Sequence, residues 1–336
     1  MLKVLETPPR CLPTILGILF VASCSASDQP LGPDEDDVEV VQTGSFRVLT
    51  YNIQIAVFGT EFRTVRLPLI KESIEENRPD FIGFQEAYAA NGSTQQSDLA
   101  AAFDGTAWTI LRWDDLNTNN KNPIGLNTDR YALVASGVIV LDIVDGVGAS
   151  GWQRYLDLHA AFHGEAGGRV HFLDEFRFLT WVVGEDRNSG ERIVFLNCHY
   201  ETYIGGFSGD ANDQSRVDDF AEFTDVVNES FGWMSERIAE EAARLTSEYS
   251  ADEAVIVGDF ETGDVSLPAV SKYYDAGYVE AFFHLYPSPS ARRTAQGIDN
   301  IYIKPDDVDI LRAFYDTSYG RADSDHDPYY ADFEIR

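Results

Sequence analysis

The sequence predicts an α/β fold, and three observations carry that prediction. Short β-branched and aliphatic runs alternate with longer stretches of helical periodicity from about residue 45 to the end. A length of 336 residues with 44% hydrophobic and 12% aromatic content can bury a sizeable core, as one large domain or two ordinary ones. No internal repeat or low-complexity tract interrupts the alternation, so residues 45–336 read as one domain.

Taken in order, the chain opens with Lys3 and Arg10 around and ahead of an apolar run from Leu12 to Ala22. That run is too short to span a bilayer and has the size of a signal-peptide core. It ends in Val21-Ala22-Ser23-Cys24, which resembles the bacterial lipoprotein processing box. The resemblance implies a signal peptide over 1–23 and lipid chains on Cys24, which anchor the chain to the bacterial cell envelope without spanning it. The protein would then face outside the cytoplasm, at the outer membrane or cell surface; an ordinary signal peptide is the alternative. Residues 24–44 are rich in Ser, Pro, Gly and acid without apolar periodicity, and read as a flexible tether.

Beyond the tether, Phe46–Tyr51 reads as a strand, Val65–Asn77 as a helix and Phe81–Phe84 as a strand. Further strands are expected at 131–140, 176–183, 192–198, 254–257, 300–303 and 329–335. Residues 216–249 read as a helix broken near Ser230-Phe231-Gly232, with the stripe Trp233, Ile238, Ala242 and Leu245 assigned to the core. Two segments, 88–130 and 146–175, lack a regular pattern and read as long loops, which in a compact domain are functional or disordered.

Charge narrows the function less than its size suggests. Against 25 basic residues stand 56 acidic ones, a formal net charge of −31, which repels phosphate backbones and anionic lipid unless local cations intervene. It also favours solubility and attracts metal, and adaptation to a salty environment accounts for it equally well. Of three cysteines, Cys11 would leave with the signal and Cys24 would carry lipid. Cys198 then has no partner for an intramolecular disulfide, and its apolar run makes it a small buried hydrophobe.

Polar residues recur where apolar strands stop: Asn52, Gln85-Glu86, His199 and Asp259. Strand ends in a layered α/β protein converge at one edge, so these side chains can meet although far apart in sequence. Singly, each has a plain structural explanation, as a helix cap or turn residue for the carboxylates. Together with GIDNIYI (297–303) and SDHDP (324–328) they form an ordered set: TYNI (50–53), DFIGFQE (80–86), NCH (197–199), GDF (258–260), then those two. This set resembles the endonuclease/exonuclease/phosphatase superfamily over nearly all of residues 45–336. The resemblance implies a DNase I-like four-layer α/β/β/α sandwich of two packed mixed sheets, with the site at one end.

It also implies a metal-dependent phosphoesterase, most often of phosphodiesters, nuclease-like or sphingomyelinase-like. A phosphodiester repels nucleophiles, so its hydrolysis needs a divalent cation on a phosphoryl oxygen, a base for water and stabilisation of the leaving alkoxide. By the resemblance Glu86 is the principal metal ligand, Asn52 ligates or orients metal and phosphate, and Asp325 is a second metal ligand. Hard oxygen ligands suit Mg²⁺, with Mn²⁺ or Ca²⁺ as substitutes. His326 would be the general base oriented by Asp299, Asp259 would position the nucleophile or protonate the leaving group, and His199 would donate to the phosphoryl or leaving oxygen.

One position departs from the family's Gly-Asp-x-Asn: here it is Gly258-Asp259-Phe260-Glu261. An ionised glutamate at this phosphate-binding position has no donor and repels phosphate. Glu261 then either binds an additional metal, is held protonated among other carboxylates, or weakens catalysis and leaves a surface binding module of the same fold.

Substrate signals are sparser. Arg292 and Arg293, upstream of Asp299, suit phosphate oxygens, against a solvated loop pair. Tyr131 is either near the site or in the core. His159, His163 and His171 could form a second metal patch, with His159 and His163 one helical turn apart, but such a pair is by itself a weak metal signal. Trp108, Trp113 and Trp152 fall in the irregular segments with few basic residues beside them, which leaves a nucleic acid, a phospholipid head group and small phosphoesters all open as substrate. The protein is expected to act as a monomer.

Overall fold

Two six-stranded mixed sheets stack face to face in the computed structural model, which describes residues 44–54, 59–87, 95–113, 120–163, 176–200, 214–261, 266–287, 298–318, 324 and 326–336. Side chains of 155, 158–163, 214–221 and 223 lie outside that description, as do residues 1–43. All described residues belong to one compact unit.

The first sheet contains β1 (Ser45–Asn52), β2 (Phe81–Gln85), β3 (Trp108–Leu111), β4 (Ile124–Asn127), β11 (Val308–Tyr315) and β12 (Tyr329–Ile335), in the order β11-β12-β1-β2-β4-β3. The second contains β5 (Tyr131–Asp142), β6 (Phe176–Asp186), β7 (Arg192–His199), β8 (Glu253–Asp259), β9 (Val279–Glu280) and β10 (Asp299–Ile303), in the order β5-β6-β7-β8-β10-β9. Each has a parallel pair at its centre, β1 with β2 and β7 with β8, and antiparallel strands outside it.

The central strands read as unbroken apolar runs because both their faces are covered. In β7, Ile193 and Phe195 point between the sheets while Val194, Leu196 and Cys198 point outward; β8 divides the same way, Val255 and Val257 against Ala254 and Ile256. Between the sheets, Phe46, Val48, Phe81, Ala331 and Phe333 meet Val182, Phe195, Val257 and Ile301. On the outside of the first sheet, α1 (Leu67–Asn77) and α2 (Gln95–Phe103) lay Ile70, Ile74, Leu99 and Phe103 on Leu49, Tyr51, Ile82 and Phe84. Outside the second lie α3 (Ile143–His163), α4 (Gln214–Tyr249) and α5 (Pro268–Asp275), while short α6 (Ala281–Leu285) closes one edge of the inter-sheet core. The fold is thus the four-layer α/β/β/α sandwich.

Local signals explain where the helices start and stop. A wide, π-type turn at Phe62–Arg66 runs into α1. That helix ends where Arg78 takes a left-handed conformation (φ 48°), its amide closing on Ile74 O, with Pro79 next. Continuous α4 overturns the expected break at Ser230–Gly232. Its buried Val227, Phe231, Met234, Ile238, Ala242 and Leu245 keep helical spacing through the glycine. Gly232 serves close approach instead, since a Cβ there would stand 2.6 Å from Pro268 Cβ on α5. The segments read as loops hold α2, β3, β4 and α3, the last kinked at Gly148 (φ 73°). No helix among the described residues is long and apolar enough to cross a membrane.

The sandwich has two unlike ends. At the starts of β2 and β5, Arg130 bridges Asp80 of the first sheet (3.0 Å) and Asp186 of the second (2.8 Å). Burial lifts the Asp80 carboxyl to about 6 against the pull of Arg130. Tyr131 packs on Phe81 here, at the far end of β5–β7 from His199, so it is a core residue. At the other end the sheets approach so closely that a Cβ on Gly83 would lie 2.5 Å from Val257 Cγ2.

Candidate active site

Strand register gathers the polar residues at that second end. In the first sheet Asn52 of β1 is in register with Gln85 of β2, and Glu86 follows directly. In the second sheet His199, Asp259 and Asp299 line up across β7, β8 and β10. His326 lies in the segment leading to β12, whose Tyr329 pairs with Thr50 of β1. Parallel pairs bring two strand exits together in each sheet, and face-to-face packing brings the two exits to one cleft edge.

The contacts form a chain across the sheets. Asn52 Nδ2 donates to Glu86 Oε1 at 3.2 Å and to Asp259 Oδ2 at 3.0 Å. Asp259 Oδ2 stands 3.7 Å from His199 Nε2 and 3.8 Å from His326 Nε2. The other nitrogen of His326, Nδ1, is 2.8 Å from Asp299 Oδ2, the geometry of an imidazole held by a carboxylate. Glu261 Oε1 is 3.8 Å from His199 Nε2, and the Glu261 amide donates to Asp259 Oδ1 at 3.1 Å.

Asp259, 2% exposed, has its carboxyl pushed up to about 7, first by burial and next by the Asp299 carboxylate, against the opposing pull of His199. The ion-pair partners of Asp259, Asp299 and Glu261 among the described residues are histidines. Asp299 Oδ1 is buried without a hydrogen-bond partner among the described residues. Buried carboxylates with so little compensating charge fit a divalent cation. Among the described residues, two three-residue sets offer ligand atoms within 4.8 Å of one another: His199, Asp259 and Glu261, and Asp259, Asp299 and His326.

The backbone is strained just past the ends of β1, β2 and β8. Gln54, Glu86 and Glu261 adopt left-handed φ values of 58°, 57° and 60°. For residues with a Cβ each costs roughly 1–2 kcal/mol, a strain that clusters at functional sites.

Several further residues support the site from beneath and behind. Gln85 Nε2 donates to Asn197 Oδ1 (2.7 Å) and Asn197 Nδ2 to Phe84 O (2.8 Å), joining the sheets directly beneath the site. Ser324 Oγ donates to Asn52 O at 2.6 Å and ties the His326 segment to β1. Tyr200, next to His199, is wholly buried, its amide on Asp259 O (2.9 Å) and its hydroxyl beside those of Ser235 and Tyr273. The signal for Gln85 and Asn197 was present, as polar residues inside apolar runs with no solvent face to occupy.

Of the other expected residues, Asp325, Arg292, Arg293 and His171 lie outside the described residues, as do the side chains of His159 and His163. Cys198 is free and buried, its thiol pushed up to about 12 by burial, as expected of a packing residue. The three tryptophans are packing residues too. Trp108 is in β3 with its indole on Pro79 O, while Trp113 and Trp152 pack against the inter-sheet and outer cores.

No family model and no curated protein matches the sequence. Solved structures match in architecture. An endonuclease/exonuclease/phosphatase family protein from Bacteroides thetaiotaomicron aligns over 87% of this chain and 95% of its own, with TM-score 0.55 and 16% identity. The human Nocturnin catalytic domain with bound sulfate gives 0.55 at 14% identity over 87% and 95%. A mannosyl-6-phosphatase of Bacteroides thetaiotaomicron gives 0.54 at 16% over 86% and 100%. At these identities the likeness is one of architecture, and the chain has the fold of the endonuclease/exonuclease/phosphatase proteins.

Proposed function

We propose that this protein is a divalent-metal-dependent phosphoester hydrolase of that superfamily, acting most readily on phosphodiesters. The observation that carries the reading is the unbroken line from Glu86 through Asn52 and Asp259 to His326 and Asp299, with every contact in it between 2.8 and 3.8 Å.

Glu86 with Asn52 would hold the cation, joined by Asp325; when bound, it supplies Lewis-acid polarisation of a phosphoryl oxygen, and Mg²⁺ is the ion that oxygen ligands favour. Asp299 keeps the proton of His326 on Nδ1, which leaves Nε2 to accept a proton from the attacking water. The imidazolium so formed is stabilised by the same carboxylate. Asp259, facing that Nε2, orients the water or returns a proton to the leaving oxygen. His199 donates to the phosphoryl or leaving oxygen, and Arg292 and Arg293 add phosphate contacts.

The same reading extends to location. Lipid on Cys24 anchors the domain outside the cytoplasm through the tether over 24–44, and Cys24→Ala releases it from membranes. A second reading rests on Glu261: the fold serves as a surface binding module for phosphate compounds, with turnover weakened or lost. A gain of about tenfold in hydrolysis on Glu261→Asn would favour that second reading.

The test is hydrolysis of bis(p-nitrophenyl) phosphate by the wild-type chain with Mg²⁺ or Mn²⁺ and with a chelator. Metal-dependent release of nitrophenol is expected, and no release with any divalent ion contradicts the reading. A panel of DNA, RNA, sphingomyelin, phosphoinositides and phosphomonoesters then ranks substrates.

A further inference from the structure

The end of the sandwich away from Glu86 and His326 holds a cavity of about 440 Å³, lined by Arg78, Trp108, Asn127, Asp129, Arg130 and Asn188. Sites for small molecules run to roughly 300–1,000 Å³, so the space suits one such ligand. Its lining comes from the end of α1, the start of β3 and the turns between β4 and β5 and between β6 and β7.

The floor of this cavity is fixed and its rim is not. Trp108, 8% exposed, gives its indole N–H to Pro79 O at 2.7 Å, which leaves ring surface as what it can offer a ligand. Arg130 is anchored on Asp80 (3.0 Å) and Asp186 (2.8 Å), and its charge is compensated there. Arg78, Asp129 and Asn188 are exposed, and among the described residues their side chains have no hydrogen-bond or ion-pair partner. Arg78 and Asp129 thus line one cavity with opposite charges and do not pair with each other. Arg78 also occupies a left-handed position (φ 48°) closing α1, which glycine fills without steric cost. A guanidinium placed there serves the cavity rim and no contact within the fold.

Charge narrows the ligand. An anion alone would gain Arg78 but meet Asp129 and a chain of net charge −31, and a cation alone would gain Asp129 but meet Arg78. A molecule with both charges satisfies both residues and, being neutral overall, is not repelled by the field of the chain. Guanidinium grips carboxylate or phosphate oxygens with two N–H groups, while an ammonium suits a carboxylate and the face of an indole ring. The Asn188 carboxamide adds one donor group and one acceptor.

We propose that this cavity binds a small zwitterion, an ammonium joined to a carboxylate or a phosphate, with Arg78 on its anionic end and Asp129 and the Trp108 ring on its cationic end. The inference does not rest on the hydrolase reading, because the cavity shares no residue with the line from Glu86 to His326.

The test is isothermal titration calorimetry of the full chain in the presence of a chelator. The probes are phosphoethanolamine and 4-aminobutyrate, with inorganic phosphate, butyrate and ethylammonium as single-charge controls. At least one zwitterion is expected to bind with a Kd of ~1 mM or tighter, and each control about tenfold more weakly or worse. Arg78→Gln and Asp129→Asn each raise that Kd about tenfold or more, while both variants keep the wild-type melting temperature. Preference for phosphoethanolamine assigns a phosphate head group as the natural ligand, and preference for 4-aminobutyrate an amino acid. No binding of either zwitterion up to about 20 mM overturns the proposal, as does an unchanged Kd in either variant. Inorganic phosphate binding as tightly as the zwitterions overturns it in favour of an anion site. Phosphoethanolamine binding that is lost in Glu86→Gln and kept in Arg78→Gln belongs to the candidate active site and overturns it too. Wild type that binds a zwitterion but hydrolyses no phosphoester would sink the hydrolase reading and leave this site standing.

Discussion

The His326–Asp299 contact is the residue-scale feature on which the proposed chemistry turns. A carboxylate 2.8 Å from Nδ1 selects the tautomer that leaves Nε2 free to accept a proton. Asp299→Asn keeps the shape but presents an amide that also suits the opposite tautomer. It should lower kcat by about 10²-fold or more with little change in KM, measured by steady-state hydrolysis. An equal rise in KM with unchanged kcat would assign Asp299 to substrate binding instead. Asn52, Glu86, His199 and Asp259 were legible because they stop apolar strands, which is a signal in one dimension, whereas Asp299, which opens β10, and His326, which precedes β12, were assigned through the resemblance of their motifs. Tyr200, Ser324 and Asn197 were not assigned their supporting roles, since their partners Ser235, Asn52 and Phe84 come from other parts of the chain.

At the scale of elements, long buried strands were plain in sequence and short or half-exposed ones were not. β7 and β8 are apolar on both faces and stand out. β3 and β4 have four residues each, too few for a periodicity, and α2 buries Gln95 and Gln96 on the face where apolar residues would have marked a helix. β11 loses its alternation at a register shift between Ile310 and Arg312 and lies at a sheet edge with Leu311 half exposed. The misread break in α4 has a different cause: glycine is a helix breaker by propensity, but here contact with α5 decides. Gly232→Ala therefore tests packing against propensity. Intrinsic preference favours alanine by about 1 kcal/mol, whereas a Cβ 2.6 Å from Pro268 must push the helices apart. Net destabilisation of ~1–2 kcal/mol is expected in denaturant melts, and a more stable variant would show that α5 yields freely.

On the scale of the whole molecule, buried charge makes stability depend on pH. Glu253, at the start of β8 and 4% exposed, has its carboxyl raised to about 7 by burial. Its folded value exceeds its unfolded one, so its contribution is fully present below about pH 4.5 and is lost as pH rises through about 7. Glu253→Gln, which keeps an acceptor for the Ala254 amide, should stabilise the protein at pH 8 by on the order of 3 kcal/mol and by almost nothing at pH 4. A pH-independent difference between the two melts would contradict this.

The larger consequence of the architecture is that neither sheet alone contains the candidate site. Glu86 and Asn52 leave the first sheet, Asp259 and Asp299 belong to the second, and His326 sits on the approach to β12. The most direct measurement is therefore metal-dependent hydrolysis of bis(p-nitrophenyl) phosphate by Glu86→Ala and His326→Ala beside wild type, with folding checked by circular dichroism. If one hydrolytic site spans both sheets, each folded variant loses kcat by about 10²-fold or more. Wild-type kcat in both folded variants would contradict it.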